Sequence, residues 1–322
     1  MKLRIETAVL IACFITAFSY HLTTELNHRA IVTALALDHD GEVYTATVTV
    51  FDSESSDSEK ENAAVLSASA EAAADALALL QQLSERELFY KHNGMLLLGN
   101  GIGVQQMDEV LQLPINVRGI RFNISAIQCE GRAADMLTAE DAPDAAEFES
   151  FLKKQRRSIN CEVPLVTLAD SNGAASGMLP MISLEQGQIK LCGLYVFGKR
   201  GSTTLRNNEQ MAAAALLAGR CAAIDMQRSV AIRESRVLCG KSGSVYCYIR
   251  SSSEIEALAA VHKQLQLAYN TLCRCGADSI LGASGKVLCG NSMTLGANGK
   301  VLCGNSMTLG VNSAKEVLLQ VS

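Results

Sequence analysis

The 322-residue chain has no tryptophan, and aromatic residues make up only 5% of it. It also lacks an excess of positive charge: the formal net charge is -5. A nucleic-acid partner needs a Lys/Arg-rich face, so this balance argues against one. The one basic run, Lys153-Lys154-Gln155-Arg156-Arg157, reads as a solvated helix end. Long hydrophobic runs are missing too. Spanning a bilayer as a helix takes about 20 apolar residues, and no stretch beyond the first 19 residues approaches that length. Catalytic signatures are absent as well. His21, His28, His39, His92 and His262 show no metal-ligand spacing, there is no Gly-x-Ser-x-Gly elbow, and no Cys/His pair is placed by sequence. The sequence therefore assigns no catalytic, cofactor-binding or metal-ligating residue and calls for no cofactor.

What is present begins at the N-terminus. Lys2 and Arg4 precede an apolar run from Thr7 to Phe18, and Ala17-Phe18-Ser19 offers small residues for a signal peptidase. Residues 1–19 thus read as a signal peptide or membrane anchor, and cleavage would leave Tyr20 first. Leu10-Ile11-Ala12-Cys13 matches a lipobox locally, which makes Cys13 a weak lipidation candidate, because the apolar run continues past it. Ten of the 11 cysteines lie beyond this segment. Export permits disulfides, but the spacing forms no dense framework, and Cys273-Arg274-Cys275 is too tight for a usual zinc knuckle. Most of these cysteines read as small buried hydrophobes.

Residues 30–51 read as a β-hairpin. Tyr44, Ala46, Val48 and Val50 alternate with Thr45, Thr47 and Thr49, and Asp38-His39-Asp40-Gly41 supplies the turn. Asp38 and Asp40 are expected as turn-forming residues. Residues 52–62 read as a solvated acidic loop and 63–83 as one long helix with Leu77, Leu80 and Leu83 on a face. Met95-Leu96-Leu97-Leu98 is a short buried strand. The glycines of residues 99–103 then lead into a helix through Leu113. They could cradle a phosphate, but the dinucleotide fingerprint is incomplete and no parallel βαβ setting is expected, so a packing turn is preferred. Further strands are expected over 120–126, 163–168, 178–184 and 188–197, with helices over 131–137 and 144–157.

Asn207 is a candidate N-cap for a helix over 207–221. Residues 222–250 suggest an antiparallel meander, and Ser253 with Glu256 fits a capping box for a helix over 255–272. The tail repeats itself: residues 285–298 recur as 299–312 with only Ala297 changed to Val311. Two copies are too few for a self-stacking solenoid and read as a tandem duplication. Strands and helices mix without strict alternation, so the fold class is α+β, with mixed or antiparallel sheets flanked by helices. The domain reading is an N-terminal α+β unit over 20–200, built as one body or as two lobes, and a C-terminal α+β unit over 201–322 that carries the repeat.

One family resemblance spans much of the chain. Glu25-Leu26-Asn27-His28-Arg29-Ala30-Ile31-Val32 resembles the opening of mature Ger(x)C proteins, the C-subunit lipoproteins of nutrient germinant receptors in endospore-forming bacteria. Those proteins carry a lipid-bearing Cys and a Trp-Asp just before. Here Tyr20 stands at the usual Cys position. Tyr90-Lys91-His92 before Met95-Leu96-Leu97-Leu98-Gly99 resembles the family's aromatic-x-His segment, and Gly131 through Leu137 its turn-helix. Cys192 through Lys199 resembles its Gly-x-x-Val-Phe-Lys strand, and Asn208-Glu209-Gln210 the start of the following helix.

The resemblance implies a non-enzymatic receptor subunit at the outer face of the spore inner membrane. Its implied partners are the receptor A and B membrane subunits and the membrane surface. Two rivals remain at this point: an exported hydrolase with an unrecognised Cys/His or Asp/His pair, and a degenerate receptor subunit that no longer assembles.

Overall fold

The computed structural model describes Ile11 and residues 29–51, 63–155, 159–169, 173–220, 225–226, 230–239, 245–251, 255–277 and 315–320. The expected hairpin is there. Strand β1 (Arg29–His39) pairs antiparallel with β2 (Tyr44–Phe51), from His39 opposite Tyr44 to Ile31 opposite Phe51. Asp40 forms the turn as expected, its carboxylate accepting from the Glu42 and Val43 amides at 3.2 and 3.1 Å. Gly41 takes a φ of +104°, which favours glycine.

Residues 63–83 are not one helix. They form strand β3 (Ala63–Ala70) and then helix α1 (Ala73–Leu83). The Ser67 and Ser69 hydroxyls meet those of Thr47 and Thr45 on β2 at 3.0 and 2.8 Å. Leu66, Ala68 and Ala70 pack against the core from the opposite face. The working period is therefore two, and cross-strand pairing overrides the helix propensity of Ala and Leu. In α1 itself Leu77 and Leu80 are buried, whereas Leu83 is exposed.

A parallel set follows. Strand β4 (Glu87–Phe89) and strand β5 (Met95–Leu98) both lie parallel to β1. Helix α2 (Val104–Asn116) connects β5 to strand β6 (Ser125–Cys129), which is parallel to β5. This overturns the expectation that β5 lacks a parallel βαβ setting. All four β5 residues are buried, as a strand covered on both faces requires. The strand expected from residue 120 starts only at Ser125. Ile120 and Ile124 are buried without it, and Phe122 is exposed.

Helix α3 (Asp135–Thr138) is shorter than expected. Helix α4 (Ala145–Gln155) opens on a reciprocal pair. The Glu147 amide donates to Asp144 Oδ1 at 2.7 Å, and the Asp144 amide donates to Glu147 Oε2 at 3.0 Å. Residues 165–168 form a 3-10 turn rather than the expected strand. Their segment still bonds to the chain before β6, with the Leu165 amide donating to the Ile124 carbonyl at 2.8 Å.

Strand β7 (Gly177–Glu185) is parallel to β6, and β8 (Gln188–Gly198) and β9 (Gly201–Leu205) add antiparallel strands. The nine strands make one sheet, ordered β3-β2-β1-β5-β6-β7-β8-β9 with β4 beside β1. Residue 200 falls in the β8–β9 turn, so the sheet draws its last strand from beyond that position.

Asn207 caps helix α5 (Asn208–Leu217), accepting from the Glu209 and Gln210 amides at 2.9 and 3.3 Å. Strands β10 (Asp225–Met226), β11 (Val230–Cys239) and β12 (Val245–Ser251) form the expected meander. Helix α6 (Ile255–Cys275) follows, and an unexpected strand, β13 (Lys315–Gln320), completes a four-stranded sheet against β12. The fold is α+β with mixed sheets, as expected. Residues 52–62, Ser253 and the repeat over 285–312 lie outside the described residues.

Two cores sit on the two faces of the large sheet. Leu35, Leu37, Leu96 and Leu98 pack with Leu77 and Leu80 of α1 and Met107, Val110 and Leu113 of α2. Ala34, Ala36, Leu97 and Ile127 belong to the other core, with Met136 of α3, Phe148 and Leu152 of α4, Leu216 of α5 and Leu265 of α6.

Candidate functional site

Polar groups gather at the two ends of the parallel strands. Where the strands finish, Asp38 is buried, and its carboxylate accepts from the Ala133 and Ala134 amides at 2.7 and 2.8 Å. These amides open the α3 turn. The expectation that Asp38 serves the hairpin turn is therefore corrected: its side chain reaches across the sheet, and Asp40 and His39 supply the side-chain acceptors of the turn. Gly99 and Gly101 follow β5 against this cluster. A Cβ on Gly99 would lie 1.9 Å from Asp38 Oδ1, and one on Gly101 would lie 1.8 Å from the His39 carbonyl oxygen. Gln128 donates from Nε2 to the Gly99 carbonyl at 2.7 Å. The glycine cluster is thus a packing turn, pressed against the end of β1, and its space is filled by protein.

Where the strands start, the arrangement is open. A cavity of about 360 Å³ is bounded by α1, β4, the 3-10 turn Tyr90–His92 and the segment after α2. Arg29, Lys91 and Arg118 bring three cations to its lining. The Arg29 guanidinium lies 5.2 Å from the centre of the Phe89 ring, and the Lys91 ammonium 5.8 Å. Glu87 pairs with Arg29 at 3.6 Å, across the parallel register of β1 and β4. Lys91 and Arg118 make no ion pair among the described residues. Tyr90 also lines the cavity. Its hydroxyl is buried without a hydrogen-bond partner among the described residues, and burial pushes its pKa well above the usual phenol value.

His92 is exposed and tilts against the Phe89 ring at 5.5 Å. His39 holds the hairpin turn, its Nδ1 accepting from the Gly41 amide at 3.2 Å. The sequence placed His39 in the turn but did not give the bond its ring makes there, and the ring contact of His92 was not legible from spacing. Cys13, the lipidation candidate, and Tyr20 lie outside the described residues, as do His21 and His28. Cys129, Cys161, Cys192, Cys247, Cys273 and Cys275 are free thiols. Burial pushes Cys161 up to about 12 although Arg220 pulls the other way, and burial alone pushes Cys247 up to about 12. Cys129 is raised by burial and by the Asp38 carboxylate. A thiolate nucleophile needs the opposite shift. Among the described residues no cluster of His, Cys, Asp and Glu could hold a metal ion, and no helix is long and apolar enough to cross a membrane.

The sequence reading missed the cavity. Its three cations are scattered at 29, 91 and 118, and only the parallel pairing of β1 with β4 and the return of α2 bring them together. The signal within reach was Tyr90-Lys91-His92, singled out for its resemblance and not for its charge.

Comparison with known proteins gives one result. Residues 23–184 match the family model for the spore germination protein N-terminal domain. No curated protein and no solved structure matches the chain. The match covers half of the chain and contains β1 through β6, nearly all of β7, the Asp38 cluster and the cavity. The segments beyond residue 184 that resemble the family lie outside it. The chain belongs to the Ger(x)C family of spore germination proteins.

Proposed function

We propose that this chain is a non-enzymatic subunit of a nutrient germinant receptor, held at the outer face of the spore inner membrane beside the A and B membrane subunits. The observation that carries the reading is the match to a germination-protein domain over residues 23–184. The chemistry of the described side chains supports it. Asp38 and the glycines after β5 are committed to packing, and the buried thiols are shifted away from reactivity. The N-terminal segment supports the location: an apolar run ends at Phe18, and Tyr20 replaces the cysteine that would carry a lipid. One acyl chain binds a membrane only marginally, so its loss shifts the work to protein contacts or to an uncleaved segment.

Disruption of the gene tests the role. Mutant spores are expected to respond slowly or not at all to particular nutrients, while growth and non-nutrient triggers stay normal. Normal germination with every nutrient that acts on the parent would end the receptor assignment.

A further inference from the structure

Every strand of the parallel set starts at the same end of the large sheet, and helices α1 and α2 return to that end. The pairing of β1 with β2 brings Phe51 there as well. Five large apolar side chains are exposed at this end: Phe51, Leu83 at the close of α1, Ile115 in the last turn of α2, and Phe122 beside Val166. Ile115 is 71% exposed, Leu83 60% and Val166 55%. Single exposed apolar residues need no explanation, but a group at one end does.

Charge divides the same way. Arg29, Lys91, Arg118, Lys154 and Arg200 all sit at the starting end, since α4 and β8 also close there. Its acids, Glu85, Glu87 and Glu162, are fewer, and Glu87 is paired with Arg29. The finishing end instead carries Asp40, Glu42, Glu71, Asp135, Asp141 and Glu185, all exposed, against fewer cations: Arg132, Lys190, which pairs with Glu185, and Arg206, which pairs with Glu130. A chain of net charge -5 thus has a basic, apolar end and an acidic one.

The chain itself ties the basic end to the N-terminal segment. Arg29 begins β1 only eleven residues after Phe18, where the apolar run ends. Eleven extended residues reach about 40 Å at most.

We propose that the starting end of the large sheet, with Lys91, Arg118, Ile115 and Phe122 at its surface, is a docking face for a bilayer of anionic phospholipid. This rests on the membrane location proposed above and adds the orientation. Exposed Phe and Ile side chains enter the headgroup boundary while lysine and arginine remain at the phosphates. The acidic end turns away, because the negative surface potential of such a bilayer repels it. The cavity lined by Arg29, Lys91 and Arg118 lies within the docked face.

The test uses the full chain reconstituted with vesicles of phosphatidylcholine alone or of phosphatidylcholine with phosphatidylglycerol, read by amide hydrogen exchange. Protection over residues 85–91 and 115–122 is expected on the anionic vesicles and absent on the neutral ones. Each cation removed is expected to weaken docking roughly fivefold, so Lys91→Glu with Arg118→Glu should abolish the protection. Glu42→Lys at the finishing end should leave it in place. A chain that associates with both vesicles but shows no protection over 115–122 overturns the docking face and leaves the membrane location standing. Equal protection on neutral and anionic vesicles also overturns it, because docking would then owe nothing to the charge of the lipid. A chain that associates with neither vesicle overturns both.

Discussion

The two ends of the large sheet use polar residues in opposite ways. Where the parallel strands finish, the Asp38 carboxylate and the Gln128 Nε2 amide are committed to backbone partners, and only Gln128 Oε1 is left without one among the described residues. Asp38 holds two amides, Gln128 holds the Gly99 carbonyl, and two glycines clear the space for the contact. Where the strands start, Lys91 and Arg118 make no ion pair among the described residues, the buried Tyr90 hydroxyl has no partner among them, and large apolar side chains face outward. Polar groups consumed by the fold explain stability. Groups left over are where function is to be sought. The comparison therefore makes a claim about energy: substitution of the packed groups at the finishing end should destabilise the protein, and substitution of the exposed groups at the starting end should leave its stability unchanged.

The largest effects are expected at the finishing end. Gly101→Ala would set a Cβ against the His39 backbone, where no flexible side chain can yield. A loss of roughly 3 kcal/mol is expected. Asp38→Ala strips the acceptor from two buried amides, and hydrogen bonds to a charged group are worth about 1.5–3 kcal/mol each. A loss of about 3 kcal/mol or more should follow. Gly94→Ala provides the control before β5, since a Cβ there meets nothing within 4 Å. Its stability and that of Lys91→Ala should stay within about 0.5 kcal/mol of the parent. Urea midpoints measure all four. If Lys91→Ala loses as much as Asp38→Ala, the contrast between the ends is mistaken.

These residues also show what was legible in the sequence. The hairpin, the Asn207 cap and the glycine turn are local, and each follows from a period or a side chain that bonds within a few residues. The Asp38 carboxylate binds amides 95 and 96 positions away, so only its hairpin neighbourhood was visible. β3 was misread because its Ala-rich composition favours a helix in isolation, and its strand partners are the threonines of β2. The cavity depends on three separate returns of the chain to one end of the sheet. Nothing short-range encodes that.

A smaller effect should follow from removing the tail. A chain ending at Leu281 loses β13 and the duplicated segment but keeps every strand of the large sheet and the helices that cover it. Glycine-rich sequence loses much entropy on ordering and has little to bury in return. The main thermal transition is expected to persist, with the loss confined to the sheet of β10–β12, where β13 pairs from Tyr246 to Ser251. Circular dichroism melting and hydrogen exchange report the two sheets separately. Loss of the main transition would show that both ends of the large sheet depend on the tail, and the domain reading that separates them would fail.

The smallest effect is the most discriminating, because its sign is opposite. Tyr90 sits at the starting end with its ring packed in the core and its hydroxyl buried without a partner. Burying an unpaired hydroxyl costs about 1–3 kcal/mol by comparison with mutational data on other proteins. Tyr90→Phe keeps the ring and removes that penalty, so the protein should gain about 1 kcal/mol in urea. No other substitution considered at either end is expected to stabilise. A loss of similar size would mean that the hydroxyl is satisfied in solution. The starting end would then be as fully committed to the fold as the finishing end, and the spare polar groups on which the docking face depends would have to be sought among its cations alone.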